Sequence, residues 1–352
     1  YYSVIGGWVI KYLVEYFRGN AKQLAEDGYF TDFISNGVST ELCFVAFCAF
    51  TLIIIFAGVQ NGIERVSKIM MPILIVLSVI IAVYSVTRPG ALAGVKYFLV
   101  PNVKNFSWMT VVSAMGQMFY SLSIAMGILI TFGSYMKKDT AIEDSTRNVE
   151  VFDTGIAIMA GLMIIPAVFA FSGGDPDTLQ AGPSLMFITI PKVFQNMGFG
   201  TVIGIVFFLL VLFAAVTSSI ALTESAVSTF EDELGWGRKK ATVLVGVIML
   251  ALGSLSSLGY GPLAGIKIIG MQFLDLFDFL TNSVMMPIAA LLTSLLVSRV
   301  VGIDKIEEEI IHGESAFRRK KVFVVMIKYL CPVFAIIILL SSVANALGWI
   351  KM

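Results

Sequence analysis

The sequence predicts an all-α polytopic membrane protein, and three observations carry that prediction. The 352-residue chain is 57% hydrophobic and 14% charged, with mean hydropathy +0.89. A soluble domain of this length needs more charge to cover its surface. The apolar residues are gathered into runs of the length a bilayer requires, about 20 residues per helix. Lys and Arg alternate between loops, dense in one set and sparse in the next. The net charge is zero, so nothing points to a nucleic-acid partner. Cys43, Cys48 and Cys331 lie in apolar stretches with neither a disulfide framework nor metal-ligand spacing, and read as buried thiols.

The elements follow in order. Residues 1–17 are apolar but shorter than a span. They begin at Tyr1 without an initiator Met, a charged n-region or a cleavage site, so they are not a signal peptide. They read as the second half of a spanning helix, which makes the chain N-terminally incomplete. Eight full spans are expected at 41–58, 69–87, 110–135, 148–171, 200–228, 241–257, 271–298 and 322–346. Turn-forming or charged clusters separate them: "GVQNGIERVSK", "TRPG", "MKKDTAIEDSTR", "FSGGDPD", "GWGRKK", "LGYGPLAG" and "VSRVVGIDKIEEE".

One set of loops carries Arg65, Lys68, Lys137, Lys138, Arg147, Arg238, Lys239, Lys240, Arg299, Lys305, Arg318, Arg319, Lys320 and Lys321. The alternate set carries Arg18, Lys22, Arg88, Lys96, Lys104, Lys192 and Lys267. The denser set is expected on the cytoplasmic side, which puts the C-terminus at Met352 outside. Two outer connections are long, 88–109 and 172–199. The second contains "GGDPDTLQAGPSLMFITIPKVF" and reads equally as a lid or a passive connector.

The polar residues inside the spans carry the functional signal. In "GQMFYSLSIAMGILITFG", residues 116–133, Gln117 and Ser121 continue from Ser113 at intervals of four, one stripe on a helix face. "SIAMG" then gathers small residues. A helix broken there exposes backbone groups able to bind a cation and a carboxylate. Close packing through small residues is the competing reading. "FAAVTSSIALTES" places Thr217, Ser218 and Ser219 in a long apolar helix, ahead of Glu224. Hydroxyls and carbonyls are hard oxygen ligands suited to Na+, and intrahelical back-bonding accounts for the same residues. Asp153 lies within a span, where a carboxylate costs roughly 2.5–3.5 kcal/mol on insertion scales and is a functional candidate. Asp275 and Asp278 stand near one helix end, where solvation is a sufficient reading. Catalysis finds little support. His312, the single histidine, lies in a charged loop, and no base accompanies the buried serines.

Taken in order, these stretches resemble the neurotransmitter:sodium symporter family in its bacterial amino-acid-transporting branch. "YYSVIGGW" is similar to the middle of the family's third helix, and "GVQNGIERVSKIMMP" to the loop between the fourth and fifth. "GQMFYSLSIAMG" resembles the unwound sixth helix. "AAVTSSIAL" resembles the eighth, and "FEDELGWGRKKA" the loop after it. The likeness covers nearly the whole chain. It implies a fold of two five-helix repeats of inverted topology, here lacking the first two helices and half of the third. Residues 1–109 would hold the remainder of the first repeat, helices three to five. Residues 110–298 would be the second repeat, helices six to ten, and 299–352 a cytoplasmic loop and helix eleven. It further implies a bacterial inner membrane and a chain inactive by itself.

The resemblance assigns roles position by position. Tyr2 matches the tyrosine that binds the substrate carboxylate. Tyr120 matches the aromatic outer lid, usually Phe, and departs from it by a hydroxyl. Ser121 and Asp153 match the first sodium site. Ala214, Thr217 and Ser218 match the second, through a backbone carbonyl and two hydroxyls. Tyr120, Ser121, Ser123, Met126, Ser218 and Leu222 complete the substrate pocket with Tyr2. Gln117, Tyr120 and Asp278 match the outer gate. Ala125 departs from a common glycine. The implied function is sodium-coupled symport of an amino acid, with two Na+ ions and no chloride. The flexible Met126 favours a hydrophobic or aromatic substrate. A channel or signalling scaffold is the alternative from another class, although no repeated filter segment is present.

Overall fold

The computed structural model describes residues 1–179, 182–314 and 316–349. Met352, on which the outside position of the C-terminus was expected, lies outside the described residues. Regular structure among them is helical, apart from an isolated bridge between Ile268 and Met271. The principal helices are α1 (Tyr2–Phe17), α2 (Gly37–Phe56), α3 (Val59–Val86), α4 (Trp108–Ser121), α5 (Ile128–Ser134), α6 (Ile142–Ser172), α7 (Gly200–Leu234), α8 (Arg238–Leu258), α9 (Phe273–Val301) and α10 (Lys320–Ala346). Seven of these among the described residues, α2, α3 and α6 to α10, are long and apolar enough to cross a bilayer. The span expected at 110–135 is divided between α4 and α5.

Local chemistry sets several boundaries. The Asn36 side chain accepts from the Ser39 amide at 3.1 Å and caps α2. Ser107 and Thr110 form a reciprocal capping box at the start of α4. Gly58 and Gly302, at φ 91° and 88°, take conformations that L side chains rarely adopt and separate neighbouring helical segments. The connection after α6 contains an apolar helix, Leu185–Gln195, wound as a π-turn and then an α-turn.

The chain divides into two compact units, and α6 and α9 contribute to both. The first comprises Tyr1–Pro101 and Ile156–Leu274. Within it α1 packs on α2 and α7, and α2 packs on α8. Its core is aromatic. Trp8, Tyr12 and Tyr16 recur every four residues along α1 and meet Phe30, Phe187 and Phe208 at centroid distances of 5.0–6.5 Å. The Tyr12 hydroxyl donates to the Phe187 carbonyl at 2.8 Å, satisfying the polar tip of a buried ring. Phe44 shows why small residues matter. Its backbone lies so close to Gly7 that a Cβ there would fall 2.7 Å from its nitrogen, and its ring fills the space a Cβ on Gly253 would need. In hydrocarbon, such close approach supplies the association that the hydrophobic effect supplies in water.

Two hydrogen bonds of buried hydroxyls in this unit cross between helices. Ser219 and Thr51 share a hydrogen bond at 3.1 Å between α7 and α2. Ser85 donates to the Met163 carbonyl at 2.6 Å between α3 and α6. The second unit comprises Asn102–Gly155 and Asp275–Met352, in which α10 packs against α4 and α9. A carboxylate bracket reinforces it. Glu314 accepts from the Glu143 and Asp144 amides at 2.6 and 3.3 Å, at the N-terminus of α6. Glu143 in turn accepts from the Arg318 amide at 2.8 Å, and Arg319 donates to Glu150 at 2.9 Å.

Candidate functional site

The break between α4 and α5 holds two of the four non-glycine residues at positive φ among the described residues. α4 closes with the Leu122 amide on the Met118 carbonyl, the Ser123 amide on Tyr120 and the Ile124 amide on Phe119. Residues 122–127 are then non-helical, and α5 restarts from Gly127, whose carbonyl accepts from Thr131 at 2.9 Å. Ser123 and Ala125 sit at φ 55° and 62°, and Gly127 at 79°. For a non-glycine residue the left-handed region costs roughly 1–2 kcal/mol. Ala125 therefore unwinds where glycine was expected, and the strain is stored in place rather than relieved. Strain of this kind gathers at functional sites.

Beside the break, Ser121 donates from Oγ to Oδ1 of Asp153 on α6 at 2.6 Å. This is the short distance of a charge-assisted O–H···O⁻ bond. Asp153 is half-buried and Ser121 exposed. The structure thus brings together the two residues expected at the first sodium site. Ser123 and Met126, expected in the pocket, are half-buried within the break itself. Gln117 and Tyr120, one turn apart at the end of α4, are exposed. Asp278 is exposed near the start of α9, where its Oδ1 accepts from Asn282 at 2.7 Å.

In the first unit, Ala214, Ser218 and Leu222 follow at intervals of four along α7, with Thr217 on the adjoining row, so all four share one face. Ala214, Thr217 and Leu222 are half-buried and Ser218 is exposed. The Thr217 hydroxyl donates to the Phe213 and Ala214 carbonyls, both at 3.0 Å. Its oxygen lone pairs face away from those bonds, so back-bonding and cation binding are compatible. Ser219 belongs to the opposite, buried side. Tyr2 is half-buried at the first turn of α1.

Two charged residues, Glu15 and Glu41, are absent from the sequence reading. Glu15 is 5% exposed in α1 and accepts from Lys11 at 2.7 Å, Arg18 at 3.3 Å and Asn20 at 2.5 Å. The i,i+4 spacing of Lys11 and Glu15 is the signal that could have found it. Glu41, near the start of α2, accepts from Ser254 of α8. Arg238 grips Glu224, whose role the sequence left open. His312 is exposed at the end of the Ile303–Gly313 helix.

A protein of Bacillus subtilis described as the uncharacterized sodium-dependent transporter YhdH is 34% identical over 347 residues, covering 97% of this chain and 76% of that protein. An uncharacterized sodium-dependent transporter of Haemophilus influenzae is 30% identical, covering 97% of this chain and 75% of its own length. Among solved structures, that of MhsT in complex with L-phenylalanine matches with a TM-score of 0.84 at 33% identity, over 97% of this chain and 77% of that one. The profile of the Sodium:neurotransmitter symporter family matches residues 8–349. With helices long and apolar enough to cross a membrane and a family profile over nearly its full length, the chain belongs to the Sodium:neurotransmitter symporter family, a family of multi-pass sodium-coupled secondary transporters.

Proposed function

We propose that this transporter moves a zwitterionic amino acid with a hydrophobic or aromatic side chain, together with two Na+ ions and without chloride, by alternating access. The observation that carries this reading is the broken helix with Asp153 held against Ser121 beside it. A helix broken within a span suits both ends of a zwitterion through its backbone dipoles. The carboxylate and hydroxyl offer hard oxygens to a cation. The flexible thioether of Met126 suits a large apolar side chain, and the L-phenylalanine in the MhsT complex supports the aromatic choice. Tyr2, Ser123, Ser218 and Leu222 complete the pocket. The second Na+ takes the Ala214 carbonyl and the Thr217 and Ser218 hydroxyls, and Gln117, Tyr120 and Asp278 serve the outer gate.

In the same reading, residues 110–298 are the second of two inverted five-helix repeats, and 1–109 belong to the first. Residues 299–352 add a loop and an eleventh helix. The membrane is the bacterial inner membrane, with the Lys- and Arg-rich loops cytoplasmic. The decisive experiment is equilibrium binding of L-phenylalanine to the full-length protein, with Na+ replaced stepwise by K+. Saturable binding that disappears with Na+ is expected. Binding indifferent to Na+, or single-channel current in planar bilayers, overturns the proposal.

A further inference from the structure

Thr51 of α2 and Ser219 of α7 are buried, 0% and 2% exposed, and their hydroxyl oxygens lie 3.1 Å apart. Each hydroxyl carries one hydrogen. That of Thr51 goes to the Phe47 carbonyl of its own helix, at 3.2 Å. Ser219 is therefore the donor between the helices, and the bonds form a directed chain from Ser219 to Thr51 to the Phe47 carbonyl. Neighbouring hydroxyls on α7 behave differently. Thr217 and Thr223 spend their hydrogens on carbonyls of α7 itself, at 3.0 and 2.7 Å. Ser219 spends its hydrogen on α2 instead. The residues flanking it on the buried side of α7, Val216 and Ile220, are apolar, and dispersion contacts fill space without fixing a direction. α2 is itself a fixed reference. The Phe44 ring occupies the space a Cβ on Gly253 of α8 would need, and Leu52, next to Thr51, lies against Gly246.

Successive helix residues stand about 100° apart, so Ser218 lies about 100° round α7 from Ser219, and Thr217 about 200°. Their hydroxyls, with the Ala214 carbonyl, are the proposed ligands of the second Na+, and the present inference rests on that reading. A hydroxyl oxygen stands roughly 4 Å from the helix axis, so a rotation of about 10° displaces it by about 0.7 Å. Metal–ligand distances are held to about 0.2 Å. A rotation small enough for apolar side chains to absorb is thus large enough to spoil an ion site. We infer that Thr51 and Ser219 are positioning residues for the second Na+. Their bond sets the rotation of α7 against α2 and so aims the Thr217 and Ser218 oxygens, while neither residue touches the ion or the substrate. If Thr51 loses its hydroxyl, the acceptor left to Ser219 is the Ala215 carbonyl, one turn back on its own helix. Back-bonding of that kind bends helices, here beside the ion ligands.

The test measures binding of radiolabelled L-phenylalanine to the full-length protein as a function of Na+. Thr51→Val is nearly isosteric and removes the acceptor. It should raise the Na+ concentration for half-maximal binding about threefold or more, the scale of one interhelical hydrogen bond in a membrane protein. Binding at saturating Na+ and the melting temperature without Na+ should stay at wild-type values. Thr51→Ser returns the oxygen and should restore the Na+ dependence. Ser219→Ala should reproduce the Thr51→Val shift from the other helix, and it carries the same test if Thr51→Val folds poorly. In a Thr217→Val background, where a ligand is already gone, Thr51→Val should add little. A shift in Thr217→Val with none in Thr51→Val or Ser219→Ala overturns this inference alone. Wild-type Na+ dependence in Thr217→Val overturns the second Na+ site and this inference with it. A shift that Thr51→Ser does not restore, one fully additive with Thr217→Val, or a loss of stability at unchanged Na+ dependence reduces the pair to a packing contact and likewise overturns it.

Discussion

Ser121 donates its hydroxyl hydrogen to Asp153 across the gap between α4 and α6, with 2.6 Å between the oxygens. A carboxylate in that position supplies fixed negative charge where a cation is proposed to bind. At an effective dielectric near 20, unit charges about 4 Å apart attract by roughly 4 kcal/mol before desolvation. That exceeds what a mobile anion needs to provide, so wild-type uptake should be independent of chloride. Asp153→Asn removes the charge and keeps the hydrogen-bonding shape. The variant should either become stimulated by chloride or lose uptake while keeping its thermal stability. Chloride-dependent wild-type uptake, or an Asn variant equal to wild type, would count against the assignment.

Thr217 should act as an ion ligand rather than a packing group. Its hydroxyl is already bonded to two carbonyls of its own helix, yet retains lone pairs. Thr217→Val is nearly isosteric and removes the oxygen. The Na+ concentration giving half-maximal substrate binding should rise at least about tenfold, equivalent to about 1.4 kcal/mol. The melting temperature should move little. An unchanged Na+ dependence would reduce the hydroxyl to a helix back-bond.

The hinge prediction rests on Ala125 at φ 62°. Glycine takes this conformation without strain, whereas a β-branched residue is a true outlier there. Ala125→Gly should keep transport. Ala125→Val should lower uptake by about tenfold or more, the effect of losing at least one 1.4 kcal/mol increment of hinge stability. Hydrogen exchange over residues 122–127 reports the cause. A valine variant with wild-type exchange and uptake would show that the left-handed residue is incidental.

The spans were legible because an apolar run of bilayer length has few other uses. Expected segments such as 148–171 and 241–257 fall within α6 and α8. The break was legible in kind, from the small residues of "SIAMG". Its depth was not, because an alanine does not announce a positive φ. The Ser121–Asp153 contact was legible only through resemblance, since 32 residues separate the two and no periodicity joins them. The bond between Glu224 and Arg238 was hidden for the same reason, joining residues 14 apart across the turn between α7 and α8. The aromatic ladder of Trp8, Tyr12 and Tyr16 was present in the spacing, but its partners Phe30, Phe187 and Phe208 come from distant segments that no periodicity joins to it.

That Glu224–Arg238 pair yields a stability prediction. Arg238 meets the carboxylate with both terminal nitrogens, at 2.9 and 2.6 Å, and its Nε donates to the Ile55 carbonyl near the end of α2. Glu224 is 0% exposed. Removing Arg238 takes the bidentate partner from a fully buried carboxylate, at a cost of about 3–5 kcal/mol, whereas removing Glu224 leaves Arg238 beside Glu231 at 3.6 Å and costs less. Arg238→Met should lower the melting temperature by on the order of 10 °C, and Glu224→Leu by less. The double variant should be less damaged than Arg238→Met, because no buried charge is left over. Additive losses in the cycle would mean that the two side chains act independently.

The last prediction concerns pH and the connection between α6 and α7. Asp27 pairs with Lys192 of the Ile190–Gln195 helix, and the hydrogen bond and charge of that ammonium hold the carboxyl below its usual 3.8. A carboxyl depressed in the folded state contributes its stabilisation above the unfolded value, and the contribution fades as pH falls through the folded one. The contact should therefore be intact across neutral and mildly acidic pH and open only in strong acid. Asp27→Asn should imitate the acid form at neutral pH, because it removes the charge and leaves the backbone untouched. The signature is hydrogen exchange in residues 185–195, faster in Asp27→Asn than in wild type at pH 7, with overall melting unchanged because the pair is solvent-exposed. Lys192→Gln should match it, and combining the two should add nothing further. Exchange that stays at the wild-type rate in both single variants would show that this ion pair does not hold the connection in place.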